Sequence, residues 1–295
     1  MRNKKRMDVV ATTGSLFALT LLVRPTDGSV GDKHHIFLEC VEWCIVRYGC
    51  PQRYDESGWI FGECFRCRYS CIWKTVKYFD DVLRLSVPQF YGKWPFLAVW
   101  LPLIVPVPVQ ELASVIFSVL NLLTTLSMYR TVKNLRNSNR LKIVWTTYSV
   151  IGIVMWTCSV VFHWADFWLT EYLDYFAACA FIVFALFANI LRLRLQHENM
   201  HCVLVPYSYH LLYMAGTAVE VKRSFESTIV DIFSCSGHVG PIINSILDFV
   251  PLYWIIDSHA LFHLATVPLP LLMTRFIQLE NAYEMQKQME NIKET

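Results

Sequence analysis

Four stretches of this chain run for about twenty residues with almost no charge, and they limit what it can fold into. Residues 112–129 and 143–162 contain no charged side chain, 173–191 contain one acid, Asp174, and 255–273 contain one acid, Asp257, and two histidines. A helix rises ~1.5 Å per residue, so about 20 apolar residues cross a bilayer core of ~30 Å. Inside hydrocarbon every backbone N–H and C=O must be satisfied within the protein, which selects helices for such stretches. The expected fold is therefore an all-α polytopic membrane protein. Composition agrees: of 295 residues, 55% are hydrophobic and 17% charged, against roughly 25% charged in soluble domains. A formal net charge of +2 leaves no bulk basic surface, so nucleic acid is not an expected partner.

The chain opens with a basic segment, MRNKKR, and an uncharged stretch over 9–23. That order and length predict a signal peptide over 1–29, cleaved near Ser29, with a short signal anchor as the alternative. Residues 30–93 are polar enough to be soluble and hold Cys40, Cys44, Cys50, Cys64, Cys67 and Cys71. An even number of cysteines behind a signal peptide reads as a disulfide framework in an oxidising lumen. Six cysteines allow fifteen pairings and the spacing does not choose among them. A zinc site using Cys64 and Cys67 is the rival reading. With no obvious nucleophile, this module reads as structural or substrate-presenting.

Orientation follows from the loops. Arg130, Lys133, Arg136, Arg140 and Lys142 lie between the first two spans, and Arg192 and Arg194 follow the third. Positive charge marks the cytosolic side, which leaves the Cys-rich module and the loop around 166–171 in the lumen. The membrane domain is expected over 94–278, with a cytosolic tail over 279–295. Between Arg194 and Asp257 the chain must return to the lumen by an odd number of crossings. It offers two candidates, 202–219 and 229–250, separated by Glu220, Lys222 and Arg223. Three crossings of ~20 residues each do not fit in that interval, so the parity does not close.

Ionisable residues in a spanning helix cost ~2.5–3.5 kcal/mol each on insertion scales and call for a reason. Ser159 and His163 stand four apart, on one helical face, at the lumenal end of the second span. Asp174 follows at the lumenal start of the third span, and His259 and His263, again four apart, open the last. The topology brings all five to one depth. Taken singly, a histidine in an apolar helix is a packing residue, Ser159 bonds its own backbone, and Asp174 is a helix-start acid. Taken together, three imidazoles from two helices with an open fourth position are the ligand set of a catalytic zinc ion. Zinc lowers the pKa of bound water to ~7 and polarises a carbonyl, which suits hydrolysis of a lipid ester or amide.

At these residues the sequence resembles the Per1-like family, whose members are GPI-lipid remodelling factors. That family lies within a superfamily of seven-helix membrane hydrolases that includes the alkaline ceramidases and the progestin and adipoQ receptors. The resemblance covers most of the chain. It rests on Val30-Gly31-Asp32, the six-cysteine spacing, GKWPF over 92–96, and Gln110-Glu111 leading into Ala113-Ser114. It continues with Phe162-His163, then Thr170-Glu171-x-Leu173-Asp174-Tyr175-Phe176, and ends with Asp248-Phe249 and Asp257-Ser258-His259-Ala260-Leu261-Phe262-His263. It implies a seven-helix hydrolase-type bundle behind the Cys-rich module, in the endoplasmic reticulum or Golgi membrane. It also implies a GPI phospholipase A2-like activity that removes the sn-2 acyl chain from the phosphatidylinositol of GPI-anchored proteins. In that reading His163, His259 and His263 hold zinc, Asp174 orients or deprotonates the water on it, and Ser159 helps hold the water or the developing oxyanion. GPI-anchored proteins, their lipid and membrane lipids are the implied partners.

The chain also departs from the family pattern. The family histidine continues His-Thr-Arg-Asp, whereas this chain reads His163-Trp164-Ala165-Asp166. The family's H-x-x-Y-L segment and F-D-Y-G-Y-N run are not recognisable between Arg194 and Asp248, where the crossing parity also fails. The region reads as about one helix short, giving five or six spans. Three rival functions follow: a ceramidase-like amidohydrolase, a non-catalytic chaperone or receptor for GPI-anchored proteins, and a serine esterase using Ser159 with His163.

Overall fold

The structure, a computed structural model, describes residues 29–100, 107–135, 141–197 and 249–294. The expected signal peptide and both candidate crossings between Arg194 and Asp248 lie outside the described residues, apart from the last residues of 229–250. Among the described residues the protein is helical and has no strand beyond isolated two-residue bridges.

Two helices make the Cys-rich module, α1 (His35–Tyr48) and α2 (Gly62–Tyr78). The Nδ1 atom of His34 accepts from the Ile36 N–H at the start of α1, and Gly49 ends it in the left-handed region at φ +66°, where glycine has no Cβ to clash. Cys40 and Cys44 are one turn apart on α1, as Cys67 and Cys71 are on α2. Antiparallel packing pairs the first with the last: Cys40–Cys71, Cys44–Cys67 and Cys50–Cys64. The disulfides form nested rungs around a core of Phe37, Trp59, Val76 and Phe90. The same pairing rules out zinc at Cys64 and Cys67, whose sulfurs are tied to different partners. Replacing Cys40 and Cys71 by serine removes the outermost rung. A loss of about 2–4 kcal/mol is expected, raising limited-proteolysis cleavage within 35–78 about 30-fold or more in the full chain. An unchanged cleavage rate would show that the two inner rungs suffice.

Residues 29–32 tie this module to the GKWPF turn. The Gly31 N–H donates to the Gln89 carbonyl at 3.0 Å, Tyr91 N–H to Asp32 Oδ1 at 2.8 Å, and Gly92 N–H to Ser29 Oγ at 2.6 Å. A Cβ on Gly31 would come within 2.5 Å of the Gln89 oxygen, so only glycine fits there. Phe90 and Lys93 exchange backbone hydrogen bonds of 2.7 and 3.0 Å across Tyr91 and Gly92, which sit at φ +52° and +78°. Positive φ at both central residues is the signature of a type I′ turn. This turn fixes Lys93.

Among the described residues four helices are long and apolar enough to cross a membrane: Leu112–Lys133, Lys142–Trp164, Trp168–Asn189 and Ser258–Ala282. The first two are α3 (Leu112–Lys133) and α4 (Lys142–Trp164). The third lies within α5 (Trp168–His197). The fourth comprises α6 (Ser258–Thr266) and the start of α7 (Leu269–Glu294). It breaks at Val267–Pro268, where proline lacks the N–H that would continue the ladder. Gly152 on α4 lets three helices approach closely, since a Cβ there would lie 3.1 Å from both Thr125 of α3 and Phe181 of α5. At the end far from the histidines, Arg192 Nε donates to Glu280 Oε1 at 2.6 Å and Trp145 Nε1 donates to Glu280 Oε2 at 3.2 Å. That cluster joins α4, α5 and α7 around buried Met128, Val132 and Ile277. The chain is thus a multi-pass membrane protein.

The last apolar helix starts later than the hydropathy of 255–273 suggests. Asp257 is its N-cap, with Oδ1 accepting from the Ala260 N–H at 2.8 Å. A carboxylate satisfies an otherwise orphaned first-turn donor and favours the positive end of the helix dipole.

Candidate metal centre

Capping by Asp257 puts His259 in the first turn of α6 and His263 one turn further on the same face. His163 lies at the other end of its element, in the last turn of α4. Opposed helix ends therefore bring three imidazoles together. The Nε2 atoms of His259 and His163 are 3.3 Å apart, those of His263 and His259 are 2.9 Å apart, and one ligand atom from each lies within 4.8 Å of the others. His163 and His263 are buried, whereas His259 is exposed and forms the open side.

The reverse sides of the rings settle which nitrogens face inward. Glu111, just before α3, places Oε2 2.6 Å from His163 Nδ1. Backbone bonds from Glu111 N–H to the His163 carbonyl (3.0 Å) and from Gln110 N–H to the Trp164 carbonyl (3.2 Å) hold the two segments together. Burial alone would raise the Glu111 carboxyl, but Lys93 and His163 hold it well below the usual carboxylate range. A carboxylate can only accept, so His163 Nδ1 carries the proton and its Nε2 lone pair points into the cluster. Lys93 donates to Glu111 Oε1 at 3.2 Å and to Asp166 Oδ2 at 2.6 Å, and lies 4.2 Å from the centre of the Phe162 ring. Burial works against its charge, yet these two carboxylates raise the Lys93 ammonium above its ordinary value.

His263 is oriented from α3. Its Nδ1 is 2.8 Å from Ser118 Oγ, which is 3.1 Å from Ser159 Oγ. With Nδ1–H donating to Ser118, that hydroxyl donates on to Ser159, and the Nε2 lone pair of His263 also points inward. Asn121 Nδ2 donates to the His263 carbonyl at 2.7 Å, tying α3 to α6.

Three converging lone pairs at such spacing repel one another unless a proton or cation lies between them. Nitrogens ~2.0–2.1 Å from a tetrahedral zinc ion are themselves ~3.3–3.4 Å apart, near the 3.3 and 2.9 Å that separate His259 from His163 and His263. A carboxylate behind a ligating histidine is the usual outer partner in such centres. The donor set therefore fits zinc.

Of the five residues expected from the sequence, the three histidines meet directly. Ser159 is buried, and its hydroxyl reaches Ser118, not an imidazole. Among the described residues no Ser159–His163 hydrogen bond of the serine-esterase kind is present. Asp174 on α5 is half-buried and interacts electrostatically with His163, Lys93 and Glu111. Sequence reasoning did not assign site roles to Glu111, Lys93, Ser118 or Asn121. A signal for the last two exists: Ser114, Ser118, Asn121 and Thr125 recur at spacings of four, three and four along an apolar helix. All four are buried, so α3 carries a polar stripe turned inward.

The model of the Per1-like family matches residues 56–230 and 199–281 of the chain. The two stretches overlap at 199–230, within the segment where the family pattern breaks off. The GPI-specific phospholipase A2-like PGAP3 of Danio rerio is 28% identical over 306 residues, covering 88% of this chain and 93% of that protein. The post-GPI attachment to proteins factor 3 of Drosophila melanogaster is 29% identical, covering 90% of this chain and 94% of its own length. A PER1 homolog of Schizosaccharomyces pombe is 26% identical, with 92% and 93% covered. No solved structure matches.

Proposed function

The chain belongs to the Per1-like family, and we propose that it remodels GPI anchors by hydrolysing the sn-2 acyl ester of their phosphatidylinositol. The observation that carries this reading is the histidine triad, with its outer nitrogens held by Glu111 and Ser118. The names of the relatives support the substrate class. His163, His259 and His263 would hold zinc, which when bound polarises an ester carbonyl and lowers the pKa of water to ~7.

The remaining work falls to the chain's own groups. Glu111 keeps the Nδ1 proton on His163, and Ser118 orients His263. Ser159 acts through Ser118 and is a positioning residue in this scheme. Asp174 takes a proton from the attacking water and returns it to the glycerol oxygen as the ester C–O bond breaks, releasing fatty acid and a lyso lipid. In this reading the histidine end faces the lumen of the endoplasmic reticulum or Golgi, with access to lumenal-leaflet lipids; the cationic loops on one side and the Cys-rich module on the other support that orientation.

Mass spectrometry of GPI lipids tests the reading in cells lacking their own remodelling enzyme. Expression of this chain is expected to remove the unsaturated sn-2 chain. An unchanged GPI lipid in cells that express the protein would overturn it, and a fall in ceramide instead would favour the amidohydrolase.

A further inference from the structure

A cavity of about 150 Å³ opens beside the histidine centre, between the Cys-rich module and the ends of α3 to α5. Lys93 and Glu111, which brace His163, form one wall, and Tyr54 and Arg68 of the module line another. We propose that this cavity is a headgroup subsite for a phosphorylated polyol ring, with Arg68 binding the phosphate. The proposal rests on the GPI-lipid reading and deepens it by naming what the enzyme reads besides the acyl ester.

Three observations carry it. Arg68 makes no ion pair among the described residues: its Nη1 donates to the Tyr54 carbonyl at 2.7 Å, and its guanidinium lies 5.3 Å from the centre of the Trp59 ring. Its remaining donors match a phosphate, for which a guanidinium fork is suited. Three of the four cavity carboxylates are ion-paired: Asp55 binds Arg53, and Glu111 and Asp166 share Lys93. Their spare lone pairs are strong acceptors for ring hydroxyls.

The cavity is aromatic as well as polar. Tyr54 and Tyr91 stack with ring centres 4.1 Å apart and planes 5° from parallel, a flat surface against which the C–H face of a six-membered ring packs. The subsite also gives the Cys-rich module a role in recognition: its rungs hold Arg68 and Tyr54 in place.

The test uses the full chain in detergent and soluble headgroups without acyl chains, followed by ligand-observed saturation-transfer NMR. Inositol 1-phosphate and glucosaminyl-inositol phosphate are the probes, with myo-inositol and glycerol 3-phosphate as comparators. Both phosphorylated rings are expected to bind at least ~10-fold more tightly than either comparator. If the glycosylated ring binds more tightly than inositol 1-phosphate, the subsite extends to the sugar; equal binding assigns it to the phosphocyclitol of the lipid. Arg68→Gln should weaken both probes ~10-fold or more. Tyr54→Leu should weaken them by removing the ring surface, with disulfide content and thermal stability checked in each variant.

His259→Ala should bind the probes as the wild type does. Retained binding without hydrolysis would separate the subsite from the chemistry. Equal binding of glycerol 3-phosphate, or unchanged binding in Arg68→Gln, would overturn the proposal. So would a wild type that remodels GPI lipid but binds neither probe. A wild type that binds the rings but leaves GPI lipid intact would refute the proposed activity and leave the subsite standing.

Discussion

Purified His259→Ala is expected to lose its zinc and its hydrolytic activity together, while keeping its fold. A catalytic zinc centre holds the ion with three protein ligands, so removing one leaves two imidazoles to compete with solvent for the metal. Zinc should fall from about one per chain to under about a tenth after dialysis, and lipid hydrolysis by about 100-fold or more. The fold should survive because His259 is on the exposed side of the centre, and Asp257 still caps α6. Plasma emission spectroscopy and a thermal melt of the same sample make the comparison. A variant with full zinc would overturn the ligand assignment. A variant without zinc but fully active would remove metal from the reaction. Fluorophosphonate labelling supplies the opposing case: Ser159 is buried and bonded to Ser118, so no adduct is expected.

How much of this was legible depends on sequence distance. The i, i+4 pairs were readable because helical geometry is local: His259 with His263, and Ser159 with His163, share a face whatever surrounds them. The four apolar helices were readable because hydrocarbon imposes length and composition together. The partners of those pairs were not readable. Glu111 reaches His163 from another element, and Lys93 reaches both Glu111 and Asp166 from a turn in the soluble module. Nothing local distinguishes such residues from ordinary interfacial charges. GKWPF and Gln110-Glu111 could be noted as family marks, but their chemistry appears only when Lys93 meets the carboxylates.

The disulfides lie between these cases. Counting leaves fifteen pairings, yet the spacing Cys40/Cys44 and Cys67/Cys71 fits one face on each of two helices. Had both segments been taken as antiparallel helices, the nested order would have followed. The cap role of Asp257 has a similar origin. Hydropathy has no directional information, so the stretch 255–273 includes the cap carboxylate without showing that it accepts from the Ala260 N–H. The polar stripe of α3 was missed for a different reason: serine, threonine and asparagine do not interrupt an apolar stretch, and their inward orientation shows only as periodicity.

Glu111 is where the Cys-rich module, the membrane helices and the candidate metal centre meet, and substitution there separates their contributions. In Glu111→Gln the side-chain oxygen can still accept from His163 Nδ1, so ring geometry should hold, but the charge that raises the basicity of the ligand is lost. Loss of such an outer partner typically costs 10–100-fold in metal affinity or activity, and a weakening in that range is expected for zinc competition with a chelator. Glu111→Ala should do more. It frees the His163 ring and leaves Lys93 with Asp166 alone. The Lys93 side chain is 33% exposed, so the stability loss should fall below the ~3–5 kcal/mol of a fully buried broken pair, at about 1–3 kcal/mol. Adding Lys93→Met to Glu111→Ala should restore part of that stability by removing the cation, without restoring zinc affinity, because His163 would still lack its anchor. Recovery of both would mean that Glu111 serves the lysine and not the histidine. Recovery of stability alone would support a carboxylate that acts through His163, with which it makes a 2.6 Å contact.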